Sequence, residues 1–491
     1  MCNSTSLIIG AGPTGLLLAG DLARAGVPVV VLDPLVERGL RAPGVAVNSA
    51  SAELLDERGL LDEIRDDGIM LPQVHFSLLW LDPSHQREPH ADAYLIPQSR
   101  VEELLARRAV ELGADLRWGH RLESYEPDAD GVTAVVAGPH GRYPLSARSL
   151  VGCDGAVSTV RAAAGIEFPG TADPGCDGIV ADVDVPFAEL DPALFGTVLS
   201  PAGSVYNGAP YGPDGLRVMT VEFGRDDVGV GAPSAAELHA AVTRITGQQL
   251  AGRVVRTARY TNAVHRAERL RAGPVFLAGD AAHLLFAFGG LGLSTGLHDA
   301  ANLGWKLAAV HRGWAAPGLL DTYQAERLPV IERVCRSVRA QANLLSPPSR
   351  VNPLRDLLTE LIALPEVEQF LLEQVTGTAA AYPRPADAHS LVGRRLPDLT
   401  LATAEGSVRV AELLRTGRGV LLAPPDGPEA DLAAPWKERL DLISTRPAEA
   451  TPAAALLRPD GYLAWATDDR DDAGLRTALT TWFGTLEVAG Q

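Results

Sequence analysis

LIIGAGPTGLLLAGDLARAGVPVVVLD, residues 7–33, is the stretch that decides the fold. An apolar run at 7–9 leads into GAGPTG, an apolar helical pattern follows at 16–25, and a second apolar run at 28–32 ends on Asp33. Strand, glycine loop, helix, strand and acid in that order mark a dinucleotide-binding βαβ unit. Gly10, Gly12 and Gly15 allow the tight turn, the approach of backbone to a pyrophosphate, and close packing of helix on strand. Pro13 and Thr14 complete the loop. The N–H groups of the first helical turn lack intrahelical partners and the dipole is positive at that end, so a phosphate suits it. Asp33 stands where a carboxylate can accept from an adenosine ribose hydroxyl.

Two further strand ends carry acids. The run 149–152 leads into Cys153-Asp154-Gly155, with Ser158 and Arg161 close behind, and the run 275–278 leads into Gly279-Asp280-Ala281-Ala282-His283. A carboxylate beside glycine backbone at a strand end can reach a sugar chain such as a ribityl group. Asp and Ser are also good helix N-caps, so either motif alone reads equally well as a cap. His283 is read as a structural hydrogen-bonding residue.

Outward from these motifs, strands alternate with helical patterns to about residue 165. Alternating strands such as 179–185 and 216–223, interrupted by Pro and Gly, then predict a separate sheet over a substrate pocket. The stretch 274–280 is again an apolar strand, 295–311 a long helix and 354–375 another, before a Pro-rich linker at 382–385. Strands at 419–423, 440–443 and 455–457 and a helix at 475–483 predict a last small α/β unit. The expected division is 1–177, first part of the nucleotide domain; 178–262, β-sheet substrate domain; 263–385, second part of the nucleotide domain; and 386–491, C-terminal domain.

The chain has 491 residues, which suffice for a full core without disulfides or metals. Its net charge of −18 argues against nucleic acid and anionic membrane surfaces, both of which select clustered Lys and Arg, and leaves a small-molecule partner. The four cysteines form no CxxC pair and no zinc-like spacing, which fits a reducing cytoplasm, and no apolar run reaches the ~18 residues of a membrane span. No metal is expected, and nothing in the sequence specifies an oligomeric state.

The three motifs in this order resemble the class A flavoprotein hydroxylases of the para-hydroxybenzoate hydroxylase fold, in particular the aromatic-polyketide hydroxylases of actinomycetes. The resemblance covers the whole chain. It is carried also by DERGLLDEI at 56–64, IPQSRVEELL at 96–105, LVGCDGAVSTVRAAAG at 150–165, LAGDAAH at 277–283, HDAANLGWKLAAV at 298–310 and LLRPDGYLAW at 456–465. It implies an α/β fold: a Rossmann-type FAD-binding domain with an inserted β-sheet substrate domain and a C-terminal thioredoxin-like domain, here without CxxC and so without dithiol chemistry. It also implies that Gly12, Thr14 and Gly15 face the pyrophosphate, Asp33 and Gln98 the adenosine side or nearby FAD atoms, and Asp280 the ribityl and pyrophosphate region, with Asp154 and Gly279 completing the cofactor-binding set from the strand-end motifs. Arg41 matches an arginine near the flavin and nicotinamide, and Arg100 is read as a surface residue.

One segment departs from that family. Where the hydroxylases carry Pro-x-x-Gly-Gln-Gly-x-Asn against the flavin, this chain reads Ala287-Phe288-Gly289-Gly290-Leu291-Gly292-Leu293-Ser294, and Ala50 stands where an arginine is usual. Backbone N–H groups from Gly290, Leu291, Gly292 and Leu293 can still meet the flavin, so FAD binding should persist. The polar side chains that would surround the reactive edge are gone. Two readings follow. In one, FAD is structural and the pocket is that of a flavin-dependent [4+2] cyclase, the variant of this fold that forms trans-decalins in pyrroindomycin-type antibiotic biosynthesis, folding a linear polyene. In the other, the protein is an FAD/NADPH-dependent aromatic polyketide monooxygenase working through a C4a-hydroperoxyflavin. The substrate is a polyketide in both, with Phe76, Trp80, Phe195, Tyr206, Tyr211, Phe223 and Phe288 as candidate pocket residues. No catalytic acid or base is assigned.

Overall fold

A computed structural model describes residues 5–37, 44–86, 90–129, 131–172, 175–211, 215–287, 290–345, 348–425, 427–445 and 451–486. The Val-rich and Leu-rich runs read above are buried on both faces, as expected of strands inside a parallel sheet. They assemble into six strands, β1 (Ser6–Ile9), β2 (Val29–Asp33), β3 (Asp115–Trp118), β4 (Ser149–Gly152), β5 (Arg271–Ala272) and β6 (Val275–Leu277), in the order β5-β6-β4-β1-β2-β3. All pair in parallel except β5, which runs antiparallel on the edge. The chain leaves β1 in one direction along the sheet and returns on its other side as β4 and β6. The carboxyl ends of β1, β4 and β6 therefore lie side by side at a reversal of strand order, where open α/β sheets bind their ligands.

Helix α1 (Pro13–Arg24) starts with Pro at its first position, where the missing N–H costs nothing. It packs between the sheet and α2 (Leu291–His311), and small residues let the two helices approach: a methyl on Gly304 would stand 3.1 Å from Asp21 Cβ. Helix α2 begins four residues earlier than the sequence pattern suggests. Its N-cap is Gly290 at φ +67, so the glycines read as a loop reach directly into the helix.

An antiparallel sheet of five strands, in the order Gly196–Leu199, Val205–Pro210, Gly215–Glu222, Asp177–Asp184 and Arg253–Tyr260, lies above that edge. Alternation divides its faces. Ile179, Ala181 and Val183 pack with Leu216 and Val218 against the helix Ala235–Thr246, while Val180 and Met219 point the other way, toward the nucleotide sheet. After α2 comes α3 (Asp321–Asn343). The single helix expected at 354–375 is two, Pro348–Ile362 and Pro365–Thr376, because Pro365 lacks an N–H and forces Leu364 to extended backbone.

The C-terminal region forms a mixed four-stranded sheet, ordered Leu440–Ser444, Gly419–Ala423, Ala454–Leu457 and Leu463–Thr467, with the helix Asp472–Phe483 on one side. The α/β class and the parallel cofactor-type sheet with further sheets are those read from the sequence. No described helix is long and apolar enough to cross a membrane.

Candidate functional site

The three strand-end motifs meet. The amide of Gly10 donates to Leu32 O (2.8 Å), that of Cys153 to Ile9 O (2.7 Å) and that of Ala278 to Gly152 O (3.0 Å), so the three turns leave the sheet in one row. Contact at this row explains two glycines. A Cβ on Gly10, whose φ is +105, would lie 2.2 Å from Cys153 O, and one on Gly15 would lie 2.0 Å from Gly10 O. Thr14 fills the seam between turns, since a Cβ on Gly279 or Gly296 would come within 2.6 or 2.4 Å of its Oγ1.

Beside this row lies a cavity of about 350 Å³. Gly12, Pro13 and Thr14 at the start of α1 line it on one side, and Gly290, Gly292 and Leu293 at the start of α2 line it on another. Two helix N-termini with unpartnered N–H groups thus face one space, which favours an anionic or electron-rich ligand. Gly12, Gly155, Gly290 and Gly292 have no atom within 4 Å of where a Cβ would sit, the geometry of backbone left bare for a close ligand. The arrangement fits FAD.

The predicted side chains divide into several groups. Asp280 borders the cavity; burial raises its pKa, with nearby His283 pulling the other way. Asp33 sits beside the glycine loop and braces it, accepting from Ala11 N and Leu35 N, both at 2.9 Å. Asp154 turns back onto its own chain, accepting from the Ser158 hydroxyl (2.5 Å) and Val160 N (3.1 Å). Ser158 is the N-cap of the helix Thr159–Ala163, its Oγ accepting from Arg161 N (2.9 Å), and Asp154 supports that cap, while its neighbours Cys153 and Gly155 line the cavity. Arg161 ties the second motif to the third through Ala281 O (2.9 Å).

Gln98 lines the cavity, but its amide is engaged: Oε1 accepts from Gly44 N (3.0 Å) and Nε2 donates to Glu102 (2.8 Å). His283 is buried and donates to Asp299 (2.6 Å), a structural bond. Arg100 pairs with Asp67 at the surface (2.7 Å). Arg41 and Phe288 lie outside the described residues. Ala50 and Ser294, two of the departures from the hydroxylase pattern, flank the same turn; a Cβ on Gly377 would stand 3.1 Å from Ala50 Cβ and 3.4 Å from Ser294 Oγ.

The aromatic residues named as pocket candidates sit elsewhere. Phe76 is in an apolar cluster with Leu371, Leu372 and Val375. Trp80 is 51% exposed on a hairpin, edge-on to His75. Phe195 is 38% exposed. Tyr206 faces the helix side of the central sheet and donates to Leu194 O (2.8 Å). Tyr211 covers the Arg217 guanidinium at 4.0 Å, and Phe223 packs on the main core. The apolar wall is instead Val45, Ala46, Val180, Met219, Leu285, Phe286, Ala287 and Leu293, together with Tyr260, whose hydroxyl donates to Thr220 O (2.9 Å). Strand alternation in 177–184 was the signal that could have chosen Val180 over the larger aromatics. Among the described lining residues Asp280 is the one carboxylate, and no histidine, lysine or arginine appears.

Comparison with known proteins matches residues 3–338 to the family model described as FAD binding domain and residues 389–485 to that described as aromatic-ring hydroxylase, C-terminal. The chain is 42% identical, over 97% of its length and 98% of the relative's, to a 12-dehydrotetracycline 5-monooxygenase/anhydrotetracycline 6-monooxygenase of Streptomyces rimosus. It is 40% identical to a dialkyldecalin synthase of Streptomyces rugosporus, over 98% of this chain and 99% of that one. Among solved structures, the Diels-Alderase PyrE3 of the pyrroindomycin biosynthetic pathway superposes with a TM-score of 0.88 at 38% identity, over 98% of this chain and 100% of that one.

Proposed function

We propose, for a chain that belongs to the FAD-binding-domain family and carries its aromatic-ring hydroxylase C-terminal domain, a non-redox [4+2] cyclization that folds a linear polyene of bacterial polyketide biosynthesis into a trans-decalin. The observation that carries this reading is the cavity wall: apolar side chains on the face opposite the glycine turns, and one carboxylate among its described residues. A pericyclic closure needs no acid or base. It needs diene and dienophile held in reacting geometry, and preorganization of that kind can remove several kcal/mol of barrier. Val180 and Met219 from the central sheet and Val45 and Ala46 from the segment before the helix Ser49–Asp56 supply the surface against which such a chain would coil.

On this reading Gly12, Pro13 and Thr14 hold the FAD pyrophosphate at the start of α1, Asp280 takes a ribityl hydroxyl, and Gly290 to Leu293 present N–H groups to the isoalloxazine. Bound FAD would supply hydride uptake and oxygen activation in a redox flavoenzyme; on this reading it would instead contribute part of the pocket wall without changing its oxidation state. The replacements at Ala287, Leu291 and Ser294 agree with that role, because the side chains that would surround a reactive flavin edge are absent from those positions. We also assign 178–262 as the substrate-covering domain and 386–491 as the C-terminal one, with 1–177 and 263–385 forming the FAD domain.

The 42% identity to a tetracycline-pathway monooxygenase favours a second reading, hydroxylation of an aromatic polyketide with NADPH as reductant. An anaerobic NADPH titration with candidate polyketide intermediates decides between them. Product of unchanged mass with FAD permanently oxidized supports cyclization. Bleaching of the flavin band followed by oxygen-dependent product overturns it.

A further inference from the structure

We infer that the C-terminal domain, through Arg458, positions the Gly279–Asp280 turn and so sets how tightly FAD is held. The inference rests on the placement of that turn in the FAD site.

Arg458 lies in the turn between the strands Ala454–Leu457 and Leu463–Thr467 and is 2% exposed. Its guanidinium chelates Asp460 (Nε to Oδ1 3.0 Å, Nη2 to Oδ2 2.5 Å) and reaches out of its own domain to both carboxylate oxygens of Glu326 on α3: Nη1 to Oε1, and Nη2 to Oε2 at 3.1 Å. Glu326 Oε2 also accepts from Lys306 Nζ (2.6 Å) and Asn302 Nδ2 (2.7 Å), both on α2. The rings of Trp482 and Tyr382 stand 4.5 and 5.1 Å from the guanidinium carbon and wall the group from water. Two cations, Arg458 and Lys306, balance two carboxylates, Glu326 and Asp460, in a buried cluster.

The next residue on α3 faces the other way along the same seam. Arg327 donates from Nε to Asp299 Oδ1 (2.7 Å) and from Nη2 to Thr295 O (3.1 Å). Asp299 in turn accepts from Gly279 N (3.1 Å) and from His283 Nε2 (2.6 Å), gripping both ends of the turn that carries Asp280. Adjacent residues of one helical turn thus hold the C-terminal domain and the cofactor turn. Gly279 has little slack, since it sits at φ +63 with Thr14 Oγ1 2.6 Å from where its Cβ would be.

Removing the Arg458 charge leaves one buried carboxylate without its counter-ion, an arrangement the interior does not tolerate in place. Relief by movement of α3 carries Arg327, and with it the Asp299 grip on Gly279. Arg458 is a positioning residue in this scheme and touches no cofactor.

The test is the FAD dissociation constant of the holoenzyme, followed by flavin fluorescence on dilution, in Arg458→Met and in the double variant Arg458→Met/Glu326→Gln, which removes one cation and one carboxylate together. Arg458→Met should weaken FAD binding about tenfold, and the double variant should recover most of the loss. Wild-type FAD affinity in a folded Arg458→Met protein overturns the inference. Should the single variant fail to fold, a folded double variant that holds FAD at near wild-type affinity supports it, and one that has lost FAD overturns it. Asp280→Ala serves as reference: full FAD retention there refutes the placement of the turn, whereas loss there with no effect at Arg458 refutes only the coupling.

Discussion

The cofactor-type cavity and the seam beneath the C-terminal domain are both specific, but they are built from different material. The cavity is backbone: glycines with bare Cα atoms, two helix N-termini and three strand ends in a row. The seam is side chain: Arg458, Glu326, Lys306, Asp460, Arg327 and Asp299, all buried and mutually paired. A backbone site tolerates change at its open positions and fails where chain meets chain. A buried ionic site fails wherever one partner is lost, because the remaining charge has no water to turn to.

The largest effect should come from the seam. Glu326→Gln leaves Lys306 and Arg458 sharing Asp460 and is expected to cost about 3–5 kcal/mol in thermal or urea unfolding. It should also change the acid limb. Burial alone would raise the Glu326 pKa, but Arg458 and Lys306 pull it down to about 2 from an ordinary 4.5, so its contribution is present above pH 4.5 and is lost as pH falls from there toward 2. The variant should lose stability less steeply than wild type over that window. An unchanged acid limb would mean the seam carries no such charge.

Next is Gly10→Ala. A methyl there meets Cys153 O at 2.2 Å with φ at +105, and backbone cannot yield as a flexible side chain would, so about 2–4 kcal/mol should be lost together with FAD. Ser234→Ala breaks the capping box of the helix Ala235–Thr246, in which Ser234 Oγ accepts from Glu237 N (3.2 Å) and Glu237 accepts from Ser234 N (2.7 Å). About 1 kcal/mol should go, with FAD content untouched. The smallest effect on folding is the sharpest on function. Gly12 has open space where a Cβ would stand and no positive φ, so Gly12→Ala should change stability by no more than about 0.5 kcal/mol while the purified protein loses its flavin absorbance. Full flavin content in Gly12→Ala would place the pyrophosphate elsewhere.

That contrast also explains how much could be read beforehand. The glycine loop, the two acid-bearing strand ends and the helix after Gly290 were legible because each is a local pattern with a local physical cause, and residues 7–33 alone fix a nucleotide-type βαβ unit. The break at Pro365 was not read, because the apolar spacing on either side of it reads as one helix and outweighed the missing N–H. Pocket aromatics were not. Size and hydrophobicity single out Tyr206 and Phe76, but which face of a strand or helix meets the cavity depends on its neighbour, and both residues went to the core.

The sequence by itself determined the αβ cofactor domain, the presence of FAD-type motifs and the altered flavin loop, since all three depend on residues close in the chain. Only the tertiary structure decided that Val180 and Met219 form the pocket wall and that Arg458 and Gly279 answer to neighbouring residues of α3. Arg458 and Glu326 lie 132 residues apart, Val180 and Met219 come from different strands of one sheet, and the burial that makes a charge or a face matter does not exist until the sheets and helices have packed.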